Sequence, residues 1–167
     1  MRRSDRQITS HAEIESLIRS SSLCHLAMID NGRPYVVPMN FGYSDGALYF
    51  HSAPEGRKIR ALRQNPEVCF SILSDHQLVE GVKACSWSTS YRSVIGTGRA
   101  EIITKPEEIR TGLKILMAQY SDREYTFSDT DLEGVVVIRV VVDSLMGKSS
   151  DARTRGRADA EKSKIKT

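Results

Sequence analysis

Apolar residues in this chain change period several times, and the changes mark out its elements. Ile14, Leu17 and Ile18 recur at helical spacing behind Ser10-His11-Ala12-Glu13, which has the form of a capping box, and predict a short helix over 12–20. The pattern then becomes extended, with segments at 23–30, 34–43 and 48–52 separated by Asn31-Gly32 and Asp45-Gly46. Both dipeptides tolerate positive φ, so the three segments are expected to form a meander. Residues 55–64 read as a helix with Ile59 and Leu62 inward, ended by Asn65-Pro66. Strands follow at 68–73 and 91–103, and Gly96 and Gly98 in the second predict a bulge or sharp bend. Pro106 opens a helix whose stripe of Ile109, Leu113, Leu116, Met117 and Tyr120 faces the core, and Gly134 to Val142 is a β-branched final strand. The stretch 74–90 has no clear period and is expected to be a mobile or strand-swapped excursion. Strands dominate, and no βαβ alternation or repeat occurs. That favours a small antiparallel barrel over a Rossmann sheet.

The 167 residues, 40% apolar and 27% charged, suit one domain with a proper core, with or without a tail. No apolar run approaches the roughly 18 residues needed to cross a bilayer, and the first residues lack a secretory pattern, so a cytoplasmic protein without membrane contact is expected. Cys24, Cys69 and Cys85 form no C-x-x-C pair; they are read as reduced, with Cys24 and Cys69 buried in apolar strands. The net charge of +3 is uneven. Residues 147–167 hold seven Lys or Arg against three acids and are expected to be a disordered basic tail, whereas the domain over 1–146 is close to neutral. A basic tract without aromatics reads as a solubilising end rather than a nucleic-acid tether.

The segment Leu48 to Lys58 carries the candidate chemistry. With Pro54 at the first helical position, Arg57 and Lys58 fall in the first helical turn, where the dipole disfavours each cation by about 0.3–1 kcal/mol. A bound phosphate would reverse that, joining orphan N–H groups, the Ser52 hydroxyl and two cations on one anion. The alternative is a solvated basic face shared with Arg60 and Arg63. In Val36-Val37-Pro38-Met39, Pro38 argues for an edge or bulged strand with exposed main chain. His51 is either a chemical group beside a ligand or a histidine satisfied at a strand end. His25 alternates with Leu26 and reads as a core or barrel-lining residue. The histidines and cysteines show no zinc spacing, so no metal site is expected.

Taken in order, Arg2-Arg3 with Arg6, Cys24 to Ala27, Gly32 to Phe41, Tyr49 to Lys58, Asn65 to Phe70 and Tyr91 to Glu101 resemble the flavin-binding split barrels of the pyridoxamine 5′-phosphate oxidase-like superfamily. The similarity is greatest to the branch that includes the Nim-type nitroimidazole resistance proteins. The resemblance implies a mainly β fold, a six-stranded antiparallel split β-barrel of Greek-key type with short peripheral helices. It also implies a homodimer with FMN, or alternatively FAD, at the subunit interface. Val36, Val37, Pro38, Met39 and Asn40 would line the isoalloxazine with their backbone; His51 and Ser52 would lie beside it, His51 as the catalytic candidate. Arg57 and Lys58 would hold the phosphate, and Ser93 would meet the flavin from the partner subunit. The expected activity is electron transfer from NAD(P)H to a small acceptor such as a nitroaromatic. A non-catalytic flavin- or haem-binding protein, with His25 or His51 as axial ligand, is the alternative. The oxidase proper has basic and aromatic residues near its C-terminus that contact flavin and substrate, whereas this chain has Met146-Gly147-Lys148 and a polar tail. Oxidation of pyridoxamine phosphate is therefore not expected.

Overall fold

The structure is a computed structural model that describes residues 4–150. The expected tail beyond residue 150, and Arg2-Arg3, lie outside the described residues. Helix α1 (His11–Arg19) starts as the pattern requires: Glu13 N–H donates to Ser10 Oγ over 3.3 Å, and Ile14, Leu17 and Ile18 are buried. Strands β2 (Cys24–Asp30) and β3 (Arg33–Met39) form a hairpin through Asn31 (φ 51°) and Gly32 (φ 75°). A second hairpin, β4 (Gly42–Ser44) and β5 (Ala47–Ser52), turns at Asp45 and Gly46.

The two hairpins do not make the expected meander. Among the described residues β3 pairs with β2 alone, and β5 pairs with the last strand instead of with β3. The chain leaves the sheet after Met39 because helix α3 (Pro106–Ala118) and the residues that follow it hold the crossing point. The Tyr120 hydroxyl accepts the Phe41 N–H at 2.8 Å, and a Cβ on Gly42 would lie 2.5 Å from the Ile115 carbonyl oxygen.

Strands β6 (Glu67–Val79), β7 (Ser88–Ile103) and β8 (Val136–Ser150) are longer than the apolar pattern indicates. With β1 (Gln7–Ile8) on β8, the sheet has eight strands where six were expected, in the order β3-β2-β6-β7-β8-β5-β4, and the ladder does not close. The 74–90 excursion is a continuation of the β6–β7 hairpin beyond a register shift at Ser74/Gln77, capped by a 3₁₀ turn at Ala84–Ser86. Likewise, residues 147–150, assigned to the tail on composition, are strand: Gly147, Lys148, Ser149 and Ser150 face Val94, Ser93, Arg92 and Tyr91.

The core fills the concave side of the sheet. Leu26 and Met28, Phe70 and Ile72, Val94, Ile138 and Val140, and Leu48 and Phe50 meet α1 and helix α2 (Arg57–Gln64), which contributes Ile59, Ala61 and Leu62. β7 bends around this core at Gly96 and Gly98: a Cβ on Gly96 would strike the Phe70 ring, and one on Gly98 the Val141 carbonyl. α3 covers the other side near β4, β5 and β8, with Ile109 and Leu113 on Val137. The alternation across β2 and β6 corrects two expectations. Leu26 and Phe70 take the inward positions, so His25 and Cys69, one residue away, are exposed on the opposite face; Cys24 is buried.

Candidate functional site at the start of helix α2

Helix α2 begins at Arg57, three residues after Pro54, which therefore does not occupy the first helical position. The N-cap is Gly56 at φ 110°, a conformation that L side chains rarely adopt, and no side chain caps the helix. Arg60 N–H makes the first helical bond, to the Gly56 carbonyl at 3.1 Å, so the N–H groups of Arg57, Lys58 and Ile59 precede the ladder. Both cations are in the first turn, as the dipole argument required.

The two are held differently. Arg57 Nε donates to Asp30 Oδ2 at 2.6 Å, and its guanidinium lies 4.1 Å from the Tyr35 ring centroid. Asp30 and Tyr35 flank the β2–β3 turn, so that hairpin positions Arg57. Sequence reading missed both residues, because only the fold brings them to α2. Lys58 is half-buried, and burial alone pushes its pKa below the usual lysine value. Among the described residues no carboxylate forms an ion pair with it.

The other candidates divide between this end of the sheet and its far end. Ser52, buried at the end of β5, and exposed His51, opposite Val137, precede α2 directly. β3 is the terminal strand of the ladder, which agrees with the edge position argued from Pro38. Its side chains alternate: Val36 and Pro38 point away from the core, whereas Val37 and Met39 pack against it. Asn40 Nδ2 donates to the Ser22 carbonyl at 3.3 Å. Ser93 stands apart. Through the pairs Ala27–Cys69 and Cys69–Thr97, Asp30 lies level with residue 100 of β7, so Ser93 is about 20 Å further along that strand at the usual strand rise.

Among the described residues no group of three or more His, Cys, Asp or Glu is placed to hold a metal ion, and no helix is long and apolar enough to cross a membrane.

An open antiparallel sheet with an uncapped, doubly cationic helix start beside its edge hairpin defines a β protein with an anion-ready corner. A model of the pyridoxamine 5′-phosphate oxidase family matches residues 10–149, and the chain belongs to that family. A solved structure of a candidate 5-nitroimidazole antibiotic resistance protein from Bacteroides thetaiotaomicron is similar at 40% identity, with 86% of each chain covered and a TM-score of 0.77. An FAD and heme binding protein from Mycobacterium smegmatis shares the fold at 22% identity, covering 87% of this chain and 74% of that one, with a TM-score of 0.76. Among curated proteins, an uncharacterised protein of Rhizobium meliloti (strain 1021) is 31% identical over 93 residues. That match spans 56% of this chain and about half, 54%, of the relative.

Proposed function

We propose that the protein is a split-barrel flavoprotein, a homodimer that binds FMN and passes electrons from NAD(P)H to a small acceptor. The observation that carries the reading is Lys58: a half-buried cation without a carboxylate partner among the described residues, beside three N–H groups that precede the helical ladder. That donor set fits a phosphate. Burying a charge is costly unless it is paired, and a dianion would pair it. The residues present therefore suit FMN, whose single phosphate is terminal, and family membership supports this reading.

In this arrangement Lys58 and the start of α2 grip the phosphate, and Arg57 assists from the side, held by Asp30 and Tyr35. The free edge of β3 offers main-chain donors and acceptors to the polar rim of the ring, while Val36 and Pro38 shield it from water. Bound flavin would supply the electron-pair chemistry that side chains lack. His51, exposed at the end of β5, would deliver a proton to the acceptor. Ser93 is too far along β7 to share a ligand with its own Lys58, so its contact would come from a second copy. The convex face supports that pairing: Val36, Leu73, Ile95 and Met146 are each 46–57% exposed there and would be covered.

The absorbance spectrum of the purified protein, with the mass of any cofactor released on denaturation, tests the reading. Flavin bands and the FMN mass are expected, and Arg57→Ala with Lys58→Ala should weaken flavin binding at least 100-fold, two charge-assisted contacts being lost, with the fold intact. A haem Soret band, or flavin affinity unchanged in the double variant, would overturn it.

A further inference from the structure

At the far end of β7 lies a second cationic cluster, assembled from three elements. Lys148 on β8 faces Ser93 and is therefore diagonal to Tyr91; its Nζ lies 5.8 Å from the Tyr91 ring centroid. Arg6 ends the 3₁₀ turn Ser4–Arg6 and is delivered to the same place because the next residue, Gln7, pairs with Lys148. Among the described residues neither Arg6 nor Lys148 is in an ion pair. Both act on the Tyr91 phenol: hydrogen bonding from Lys148 outweighs the opposing effect of burial and, with a lesser contribution from Arg6, holds the Tyr91 pKa below the usual tyrosine value.

An adjoining cavity of about 450 Å³ is lined by Asp75, Gln77, Ser90, Tyr91, Arg92 and the last residues of β8. The ion pair at its wall is loose. Arg92 Nε is 3.9 Å from Asp75 Oδ2, with both side chains about half exposed or more. Arg92 lines this cavity, and Tyr91 joins it to the Arg6–Lys148 cluster. Cations and neutral donors thus flank the phenol on both sides, a setting that suits an anion.

We propose that Arg6, Tyr91 and Lys148, with Arg92 at the adjoining cavity, form an anion subsite that takes a phosphate of the nicotinamide nucleotide. The position favours a nucleotide over a free anion. Tyr91 is two residues from Ser93 on the same face of β7, about 7 Å away, a gap that one ribose spans between a ring and its first phosphate. If Ser93 marks the partner's flavin ring, a nicotinamide stacked there would leave its phosphates over Lys148 and Arg6. The location rests on the flavin reading; the affinity for anions does not.

The test is calorimetric titration of inorganic pyrophosphate into the purified, cofactor-loaded protein, beside the KM for NAD(P)H and the flavin stoichiometry. Lys148→Gln should weaken pyrophosphate binding about tenfold or more and raise KM by a similar factor with flavin content unchanged. Tyr91→Phe should have a smaller effect, Arg6→Gln with Lys148→Gln should abolish binding, and Lys148→Arg should restore most of it. Pyrophosphate that does not bind, or binds all variants alike, overturns the subsite. Binding that follows the variants while KM does not move overturns the nucleotide assignment. If the protein holds no flavin and oxidises no NAD(P)H, yet pyrophosphate binding still follows the variants, the functional reading falls and the anion subsite stands.

Discussion

The two faces of the same strands differ sharply. On the concave side Leu26, Phe70, Ile72, Val94 and Ile138 are at most 1% exposed, whereas one residue along, on the convex side, Leu73 and Ile95 are 50% exposed and Met146 46%. The concave residues are accounted for by the fold: α1 and α2 cover them. Among the described residues no element similarly covers the convex residues of β2, β3 and β6. Alternation thus separates side chains that stabilise the monomer from side chains available to a ligand or a second copy.

The largest expected effect lies on the concave side. Phe70→Ala should cost about 3–5 kcal/mol in denaturant unfolding, whereas Ile95→Ser, one face over, should leave chain stability within about 1 kcal/mol. Equal losses would abolish the distinction. Next is Cys24, whose thiol burial pushes up from 9.0 to about 12, partly offset by a hydrogen bond from the Ser71 backbone. A raised folded pKa means a contribution fully present below about pH 9 and lost as pH climbs toward 12. Cys24→Ala should therefore flatten the alkaline fall in stability, read from unfolding midpoints between pH 8 and 11. The same contrast appears in labelling at pH 8. Cys85 and, in the dissociated chain, Cys69 should react with an aromatic disulfide while Cys24 stays silent, and self-association should slow Cys69 by tenfold or more. Smallest is Asp30→Asn: it frees Arg57, and because the arginine is half exposed the loss should be about 1 kcal/mol of stability, while flavin binding weakens measurably.

Both hairpin turns, α1 and the Pro106 start of α3 were legible because their signals are local: positive φ at Asn31-Gly32 and Asp45-Gly46, a cap at Ser10 and a proline at the helix start. Pairing was not. Asp45-Gly46 specifies a turn but not that β5 will choose β8 over β3. Strand length was hidden at 74–79, where both faces are largely exposed and ladder hydrogen bonds rather than apolar burial hold the segment, and at 147–150, where small and polar residues give no apolar signal. His25 and Cys69 were misread because an apolar strand does not reveal which parity faces inward until its partners are known. Of the site, the misplaced cations Arg57 and Lys58 were visible through the helix dipole. Asp30, Tyr35, Arg6 and Lys148 were not, since their relevance depends on contacts between distant segments.

The central claim, a flavin gripped by one copy and closed over by another, is tested most directly by complementation. Arg57→Ala/Lys58→Ala chains and Ser93→Trp chains, carrying different tags, are co-expressed, and the mixed dimer is isolated through both tags for flavin counting. Each variant alone should hold no flavin, and the mixed dimer should hold one per pair, because one of its two sites draws an intact grip from one chain and an intact Ser93 from the other. A mixed dimer without flavin, or either variant fully loaded on its own, would contradict the shared site.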